Sequence, residues 1–424
     1  MSIVLSKQLD QLAACVNGER LWRRHLEMSR IGATGRGGLR RLALTPEDGE
    51  AQALLARWAA ERGYSTSRDE VGNVFVRREG SRPGAPAVMT GSHLDSQPNG
   101  GCFDGTYGVL AGFEVLETLD DAGIETPHPV EVVAWMNEEG SRFAPGAMGS
   151  AVFTGFLPLD DVLHKKDGEG VSVRDALEQV AARHSLPARG QSPTPAAYVE
   201  AHIEQGPILE SRGATIGVVT GIQGIRRFSV EIVGEEGHAG TTPRANRRDA
   251  MSATVALIAA LERITADAED QVRFTVGRMA VEPNSPNTIA GKVVFTIDLR
   301  HPSAEMLART GDQIHATVAE VTATRRVQGT VTDISFVKPT TFLPAVPAAV
   351  REAALAEGLE HHVMPSGAGH DAMHLSRVCP TGMVFIPCLN GRSHTEEESA
   401  TPSDLHAGAR VLARVIGGLA LHSS

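Results

Sequence analysis

The chain is poor in the features that mark secreted, membrane or nucleic-acid-binding proteins. Its 424 residues include four cysteines, Cys15, Cys102, Cys379 and Cys388, with no CxxC spacing. That leaves no disulfide framework or thiolate knuckle to read, and a reduced, cytoplasmic thiol set is expected. No stretch approaches the roughly 18 apolar residues of a membrane helix. The opening MSIVLSKQLDQ has only a short apolar patch, broken by Lys7 and Asp10, which is not the pattern of a signal peptide. Positive charge is in deficit: 40 Lys and Arg stand against 51 Asp and Glu, for a formal charge of −11. Nucleic acid and anionic membranes are therefore not expected as partners. Repeats and low-complexity tracts are also missing. Arg244, Arg247 and Arg248 have no glycine-rich cradle beside them, so they read as a solvated helix start rather than a phosphate site.

What is there is a soluble globular composition, 42% hydrophobic and 21% charged. The length exceeds one ordinary core, so two domains are expected. A helix should start at Thr45, with Pro46 at its first position and acids in its first turn. Short β-rich segments follow at Asn73–Val76 and Ala87–Thr90, then a helix from near Asp104 through Leu116. Glu131–Met136 is almost continuously apolar, as a strand covered on both faces would be. Strands alternating with helices argue for an α/β domain with a mostly parallel central sheet. The middle differs. Arg227–Val233 alternates polar and apolar, a helix fits Arg248–Ile264, strands fit Val272–Ala280 and Lys292–Leu299, a helix fits Ser303–Val321, and a strand fits Thr330–Val337. That is the ferredoxin-like β-α-β-β-α-β order. Residues 214–333 therefore read as a small α+β domain inserted between residues 1–213 and 334–424. The α/β pattern resumes near Pro347 and closes with an apolar helix around Leu405–Leu419.

Acidic and histidine residues recur beside glycines or after apolar runs: His93 in GSHLDS, Asp104 in GGCFDG, Glu138 and Glu139 in MNEEGSRF, His202 in HIEQGP and His394 in GRSHTEE. Imidazoles and carboxylates are the donors a hydrolytic metal pair needs. The doubled glutamate offers one carboxylate as ligand and one as proton carrier. Asp95 follows His93 at a spacing that puts both on one face of an extended segment, where it could accept the proton of the second imidazole nitrogen. Each residue also has a plainer reading. Asp104 could cap a helix, the glutamates could be an exposed acid pair, and a lone histidine is more often filler than ligand. The joint pattern carries the signal.

The strings GSHLDSQPNGGCFDGTYGVLAGFEVLETL, NEEGSRFAPGAMGS, HIEQGPILE, EEGHAGTTP, NTIAGKVVFTIDLR and PSGAGHDAMH closely resemble the hydantoinase/carbamoylase amidases. This family of the dinuclear zinc peptidase and aminoacylase superfamily includes N-carbamoyl-L-amino acid hydrolases, β-ureidopropionases and allantoate amidohydrolases. The resemblance runs through nearly the whole chain in the family's order. It implies a zinc-peptidase-like catalytic domain and an inserted domain that serves as lid and dimerisation surface. It implies two divalent ions per chain, zinc first, with manganese, cobalt or nickel compatible with the same donors. His93, Asp104 and His202 would hold one ion; Asp104, Glu139 and His394 would hold the other. Glu138 would be the general acid and base, and a cis peptide is expected at Asp104–Gly105.

On the substrate side, the resemblance implies that Arg300 clamps a carboxylate, with Asn287 as a second contact. Without it, Arg300 would read as a surface salt bridge. His238 would stabilise the oxyanion from the partner subunit of a homodimer formed through the inserted domains. Gln205 would line the same pocket; His370 and Asp371 would be pocket or supporting groups, or only helix caps. Cys102 is not needed by the metal chemistry and reads as an inert buried thiol by default. The implied reaction is hydrolysis of an N-carbamoyl amino acid to amino acid, CO2 and ammonia, with closure of the small domain excluding water. Allantoate amidohydrolase shares every implied ligand and is the nearest alternative. A broader aminoacylase or dipeptidase fits less well, because His202 stands where many of those use an acid. A non-catalytic amino-acid-binding protein would have no need of Glu138.

Overall fold

The computed structural model describes residues 3–422. Met1 and Ser2, which begin the segment read as no signal peptide, lie outside the described residues. The strands in chain order are β1 Ser65–Arg68, β2 Val74–Arg78, β3 Val88–His93, β4 Val130–Trp135, β5 Ala197–Ile203 and β6 Ile216–Ile222. There follow β7 Gly224–Val233, β8 Gly237–His238, β9 Arg273–Glu282, β10 Thr288–Ile289, β11 Lys292–His301 and β12 Gln328–Val337. The last are β13 Thr340–Thr341, β14 His361–Ser366 and β15 Thr381–Ile386.

The chain divides into two compact units, residues 1–221 with 341–424, and residues 222–340. The first is built on a nine-stranded sheet of order β1-β2-β4-β3-β5-β15-β6-β13, with β14 also paired to β6. Its four central strands, β4, β3, β5 and β15, run parallel. Toward the edges the direction reverses: β2 is antiparallel to β4, β1 to β2, and β6 to β15. The sheet is thus mixed, parallel only at its centre. Every residue of β3, β4 and β5 is buried, the pattern of strands covered on both faces. The helix Pro46–Glu61 starts as its sequence dictates, with the Thr45 hydroxyl accepting from Asp48 N and Pro46 in the first turn. The closing helix Pro402–Leu421 repeats the device with Thr401 and Pro402, and packs into the main core with the helix Thr106–Asp121.

The second unit is a four-stranded antiparallel sheet of order β12-β7-β11-β9. Helices Ala250–Thr265 and Ala304–Arg325 pack on it. Its core joins Phe228, Val230 and Ile232 of β7 and Val293, Phe295, Ile297 and Leu299 of β11 to Leu257, Leu261, Ile314 and Val318 of the helices. The strand order is that of the ferredoxin-like fold. Both edges of the unit lie later than the expected 214 and 333. Ile216–Ile222 belongs to the larger sheet, where β6 pairs with β15, and β12 runs on to Val337.

Candidate metal centre

The parallel centre of the large sheet gathers the acidic and histidine residues. His93 is the last residue of β3, His202 lies one short of the end of β5, and Glu138 and Glu139 follow β4 by three and four residues. His394 lies in the connection after β15. All four strands end on one edge, where open α/β sheets present their reactive groups. Most of the set is buried: His93 and His202 are 1% exposed and Asp104 7%, whereas the His394 side chain is half exposed.

Asp104 is the hub. Its Oδ1 lies 3.4 Å from His93 Nε2 and 3.1 Å from His202 Nε2. Its Oδ2 lies 3.2 Å from His394 Nε2, which is 3.5 Å from Glu139 Oε2. Glu138 Oε2 is 3.5 Å from His93 Nε2. One carboxylate therefore faces two donor sets, His93–Asp104–His202 and Asp104–Glu139–His394.

The main chain fixes the imidazoles. His93 Nδ1 sits 2.9 Å from Asp95 O, and His202 Nδ1 sits 2.9 Å from Ile203 O. Each Nδ1–H donates outward, so each Nε2 lone pair faces inward toward Asp104 Oδ1, where that of His202 also accepts from Gly105 N at 3.2 Å. Lone pair facing carboxylate oxygen repels unless a proton or a cation lies between. His93 Nε2 is buried with no hydrogen-bond partner among the described residues. This donor set fits a metal ion.

The charges of the ion-free site agree. Burial opposes the charge of Asp104, yet the imidazoles of His202, His394 and His93 outweigh it and hold the carboxyl well below its usual range. Burial also opposes a charged His93, but Glu138, Asp104 and Asp95 push its pKa well above normal. Hydrogen bonding to Asp104 lifts His394 to about 9. Burial, then Asp371, Glu139 and Asp104, drive Glu138 well above the carboxylate range against the pull of His93. So many acids in a dry site call for positive charge, which divalent ions would supply in place of protons.

Three expectations need correction. The cis peptides among the described residues are Ala144–Pro145 and Glu282–Pro283, so Asp104–Gly105 is trans. Gly105, at φ 64 and ψ −50, makes the turn instead: Thr106 N donates to Asp104 O at 2.6 Å, closing a γ-turn of positive φ. A side chain there would run into the His93 ring. Next, the Asp95 carboxylate is not the close partner of His93, standing 3.7 Å from Nδ1. It accepts the backbone N–H groups of Glu138 and Glu139, each at 3.2 Å, and so shapes the loop of the acid pair. The extended spacing fails because β3 stops at His93. Finally, His370 is no open substrate contact. It is 1% exposed, packs edge-on to the His202 ring at 4.5 Å and meets Ser366 Oγ at 2.9 Å. Asp371 beside it is buried and accepts from the Ser150 hydroxyl.

Gln205 does join the site, its amide donating to Asp104 Oδ2 at 2.8 Å. Two further residues join it that the motifs did not single out. Glu398 accepts the backbone N–H groups of Phe103 and Asp104, each at 2.9 Å, and anchors the hub from behind. Gln97 donates to both oxygens of Glu139, at 3.1 Å from its backbone and 2.7 Å from its amide. Cys102 is partly buried, with its thiol 3.2 Å from Gly37 O and its pKa raised by burial.

In the second unit, His238 and Asn287 lie on the short β8–β10 ribbon, where His238 pairs with Thr288 and Ala239 N donates to Asn287 O at 3.0 Å. His238 is exposed. Its Nδ1 accepts from Gly240 N at 3.0 Å and Thr241 N at 3.2 Å, which leaves the ring proton on Nε2. Arg300 near the end of β11 pairs with Asp298 at 2.7 Å, the salt bridge that was its plainer reading.

The sequence pattern of peptidase family M20/M25/M40 matches residues 89–417. An N-carbamoyl-L-amino-acid amidohydrolase of Rhizobium meliloti is 40% identical over 399 residues, 94% of this chain and 95% of that protein. An allantoate amidohydrolase of Bacillus subtilis is 34% identical, over 93% of this chain and 95% of its own. The crystal structure of an amidase of the hydantoinase/carbamoylase family from Burkholderia multivorans superposes with a TM-score of 0.93 at 46% identity, covering 96% of this chain and 99% of the other. The chain belongs to peptidase family M20/M25/M40 and, within it, to the hydantoinase/carbamoylase amidases.

Proposed function

We propose that this chain hydrolyses N-carbamoyl amino acids to the amino acid, CO2 and ammonia. The observation that supports it best is the Asp104 carboxylate turned between two donor sets with Glu138 alongside. His93, Asp104 and His202 would hold one divalent ion, and Asp104, Glu139 and His394 a second, zinc before manganese, cobalt or nickel. Two such ions would polarise the ureido oxygen and make a water acidic at neutral pH. Glu138 takes a proton from the attacking water and returns it to the leaving nitrogen. The water oxygen bonds to the ureido carbon, a C–N bond breaks, and the carbamate or carbamic acid formed falls apart to amine or ammonia and CO2. Glu398 and Gln97 keep Asp104 and Glu139 in place.

Arg300 clamps the substrate carboxylate, with Asn287 as a second contact, and Gln205 lines the pocket at Asp104. A guanidinium suits that bidentate task better than an ammonium. The Nε2–H of His238 donates to the oxyanion, from a second copy of the chain in a homodimer built through the inserted units. Exposed Ile334, Phe336 and Val337 on the edge strand β12 support such an interface. The four unpaired cysteines fit a cytoplasmic location; no described helix is long and apolar enough to cross a membrane.

Allantoate is the second reading, because an allantoate amidohydrolase matches over nearly the whole chain. Ammonia release from N-carbamoyl-L-methionine, N-carbamoyl-β-alanine and allantoate, each with and without chelator, separates the readings. Chelator-sensitive turnover of a carbamoyl amino acid is expected. Turnover of allantoate alone would move the substrate, and no turnover of the three by metal-loaded protein would point to a peptide or acyl-amino-acid substrate, or to a binding protein.

A further inference from the structure

Arg41 is fully buried at 0% exposure, yet among the described residues its guanidinium bonds to no carboxylate. An isolated buried charge is costly and persists where several oriented acceptors hold it. Here Nε donates to Leu94 O at 2.6 Å and Nη2 to Thr106 Oγ1 at 2.9 Å. Nη1 donates to Met28 O at 3.1 Å and Ile31 O at 3.2 Å, at the C-terminal end of the helix Gly18–Met28, where a cation is favoured. The main chain adds a reciprocal pair: Arg41 N donates to Ser96 Oγ at 2.9 Å and Ser96 N to Arg41 O at 2.8 Å.

Leu94 directly follows His93, and Thr106 follows Asp104 by two residues. One planar fork thus ties the loop bearing His93 to the turn bearing Asp104. We infer that Arg41 is a positioning residue of the metal centre, fixing the separation of His93 and Asp104 and with it the affinity for the ion they share. The inference rests on reading those two residues as ligands. Lysine cannot replace the fork, because one ammonium nitrogen cannot reach acceptors on three chain segments at once. Arg68 provides a contrast: it is also buried, at 8%, but donates to His184 O and Gln52 Oε1 instead.

The test titrates metal-free protein with Zn2+ against a competing chelator, beside thermal melts of the same metal-free samples. Arg41→Lys should weaken Zn2+ binding about 10- to 100-fold, the range seen when supporting partners of metal ligands are lost. Thr106→Val, which removes one arm, should weaken it less, and Thr106→Ser should restore it. Arg68→Lys should lower the melting temperature and leave Zn2+ affinity unchanged. If Arg41→Lys does not fold, Thr106→Val decides. Wild-type Zn2+ affinity in the Arg41 or Thr106 variant, with only the melt lowered, overturns the inference and leaves the metal centre standing. A wild-type protein that binds no divalent ion removes the metal reading itself, and the inference with it.

Discussion

The two units hold their candidate residues in opposite ways. In the first, His93, Asp104 and His202 are nearly sealed from solvent, and each has a main-chain or carboxylate partner that aims it. In the second, His238 is exposed and its ring accepts from Gly240 N and Thr241 N, while Arg300 donates to Asp298 two residues away. A metal ligand must present a lone pair at a set distance, which takes a rigid dry wall. A group that meets a substrate must stay accessible until the substrate arrives. The contrast predicts that substitutions in the first unit act on metal affinity or on the proton, and those in the second on substrate binding.

Glu138→Gln is the most damaging change expected. It should keep two ions per chain and lose turnover by about 10²- to 10⁴-fold, the usual yield of positioned proton transfer. An active Glu138→Gln variant would refute the assignment. The same variant tests the second unit. Mixed with His238→Ala and allowed to exchange subunits, it should recover about a quarter of wild-type activity, since half the dimers are mixed and each mixed dimer holds one intact site. No recovery would place His238 on its own chain's site or outside the chemistry.

Arg300→Ala comes next. Loss of a charged clamp should lower kcat/KM roughly 10- to 100-fold, almost wholly through KM. Metal content should not change. An unchanged KM would return Arg300 to the plain ion pair with Asp298.

The contrast also explains what could be read beforehand. The helix at Thr45, the buried strand β4 and the alternating strands of the second unit follow from capping residues and apolar period, and the structure has them within a few residues. The strand β5 is not legible in the sequence, because Glu200 and His202 interrupt its apolar pattern. Both are buried, the Glu200 oxygens accepting from Ser92, Tyr198 and Ala372. Polar residues made safe by partners from distant segments hide a core strand. The same holds for Arg41, Gln97 and Glu398. Glu398 is the third glutamate in HTEEE, and nothing in that run shows that it alone turns inward to Asp104. The Asp104–Gly105 turn shows the limit of resemblance, since glycine at positive φ makes that bend with a trans bond.

The smallest expected effect is the finest check on the contrast. Gln97 touches Glu139 with its backbone and its amide but contacts no other proposed ligand in hydrogen-bond distance. Gln97→Leu removes only the amide arm, leaving the backbone N–H at 3.1 Å. The carboxylate stays anchored at one oxygen and regains rotation about the other. Affinity for the ion held by Asp104, Glu139 and His394 should fall about tenfold, the low end for a lost supporting partner. Affinity for the ion held by His93 should hold, because its supports, Asp95 O, Ile203 O and Glu398, are untouched. Stepwise Zn2+ titration would show one weakened and one unchanged site. Equal weakening of both would mean that the shared Asp104 transmits the loss, so that the two donor sets form one rigid unit rather than two.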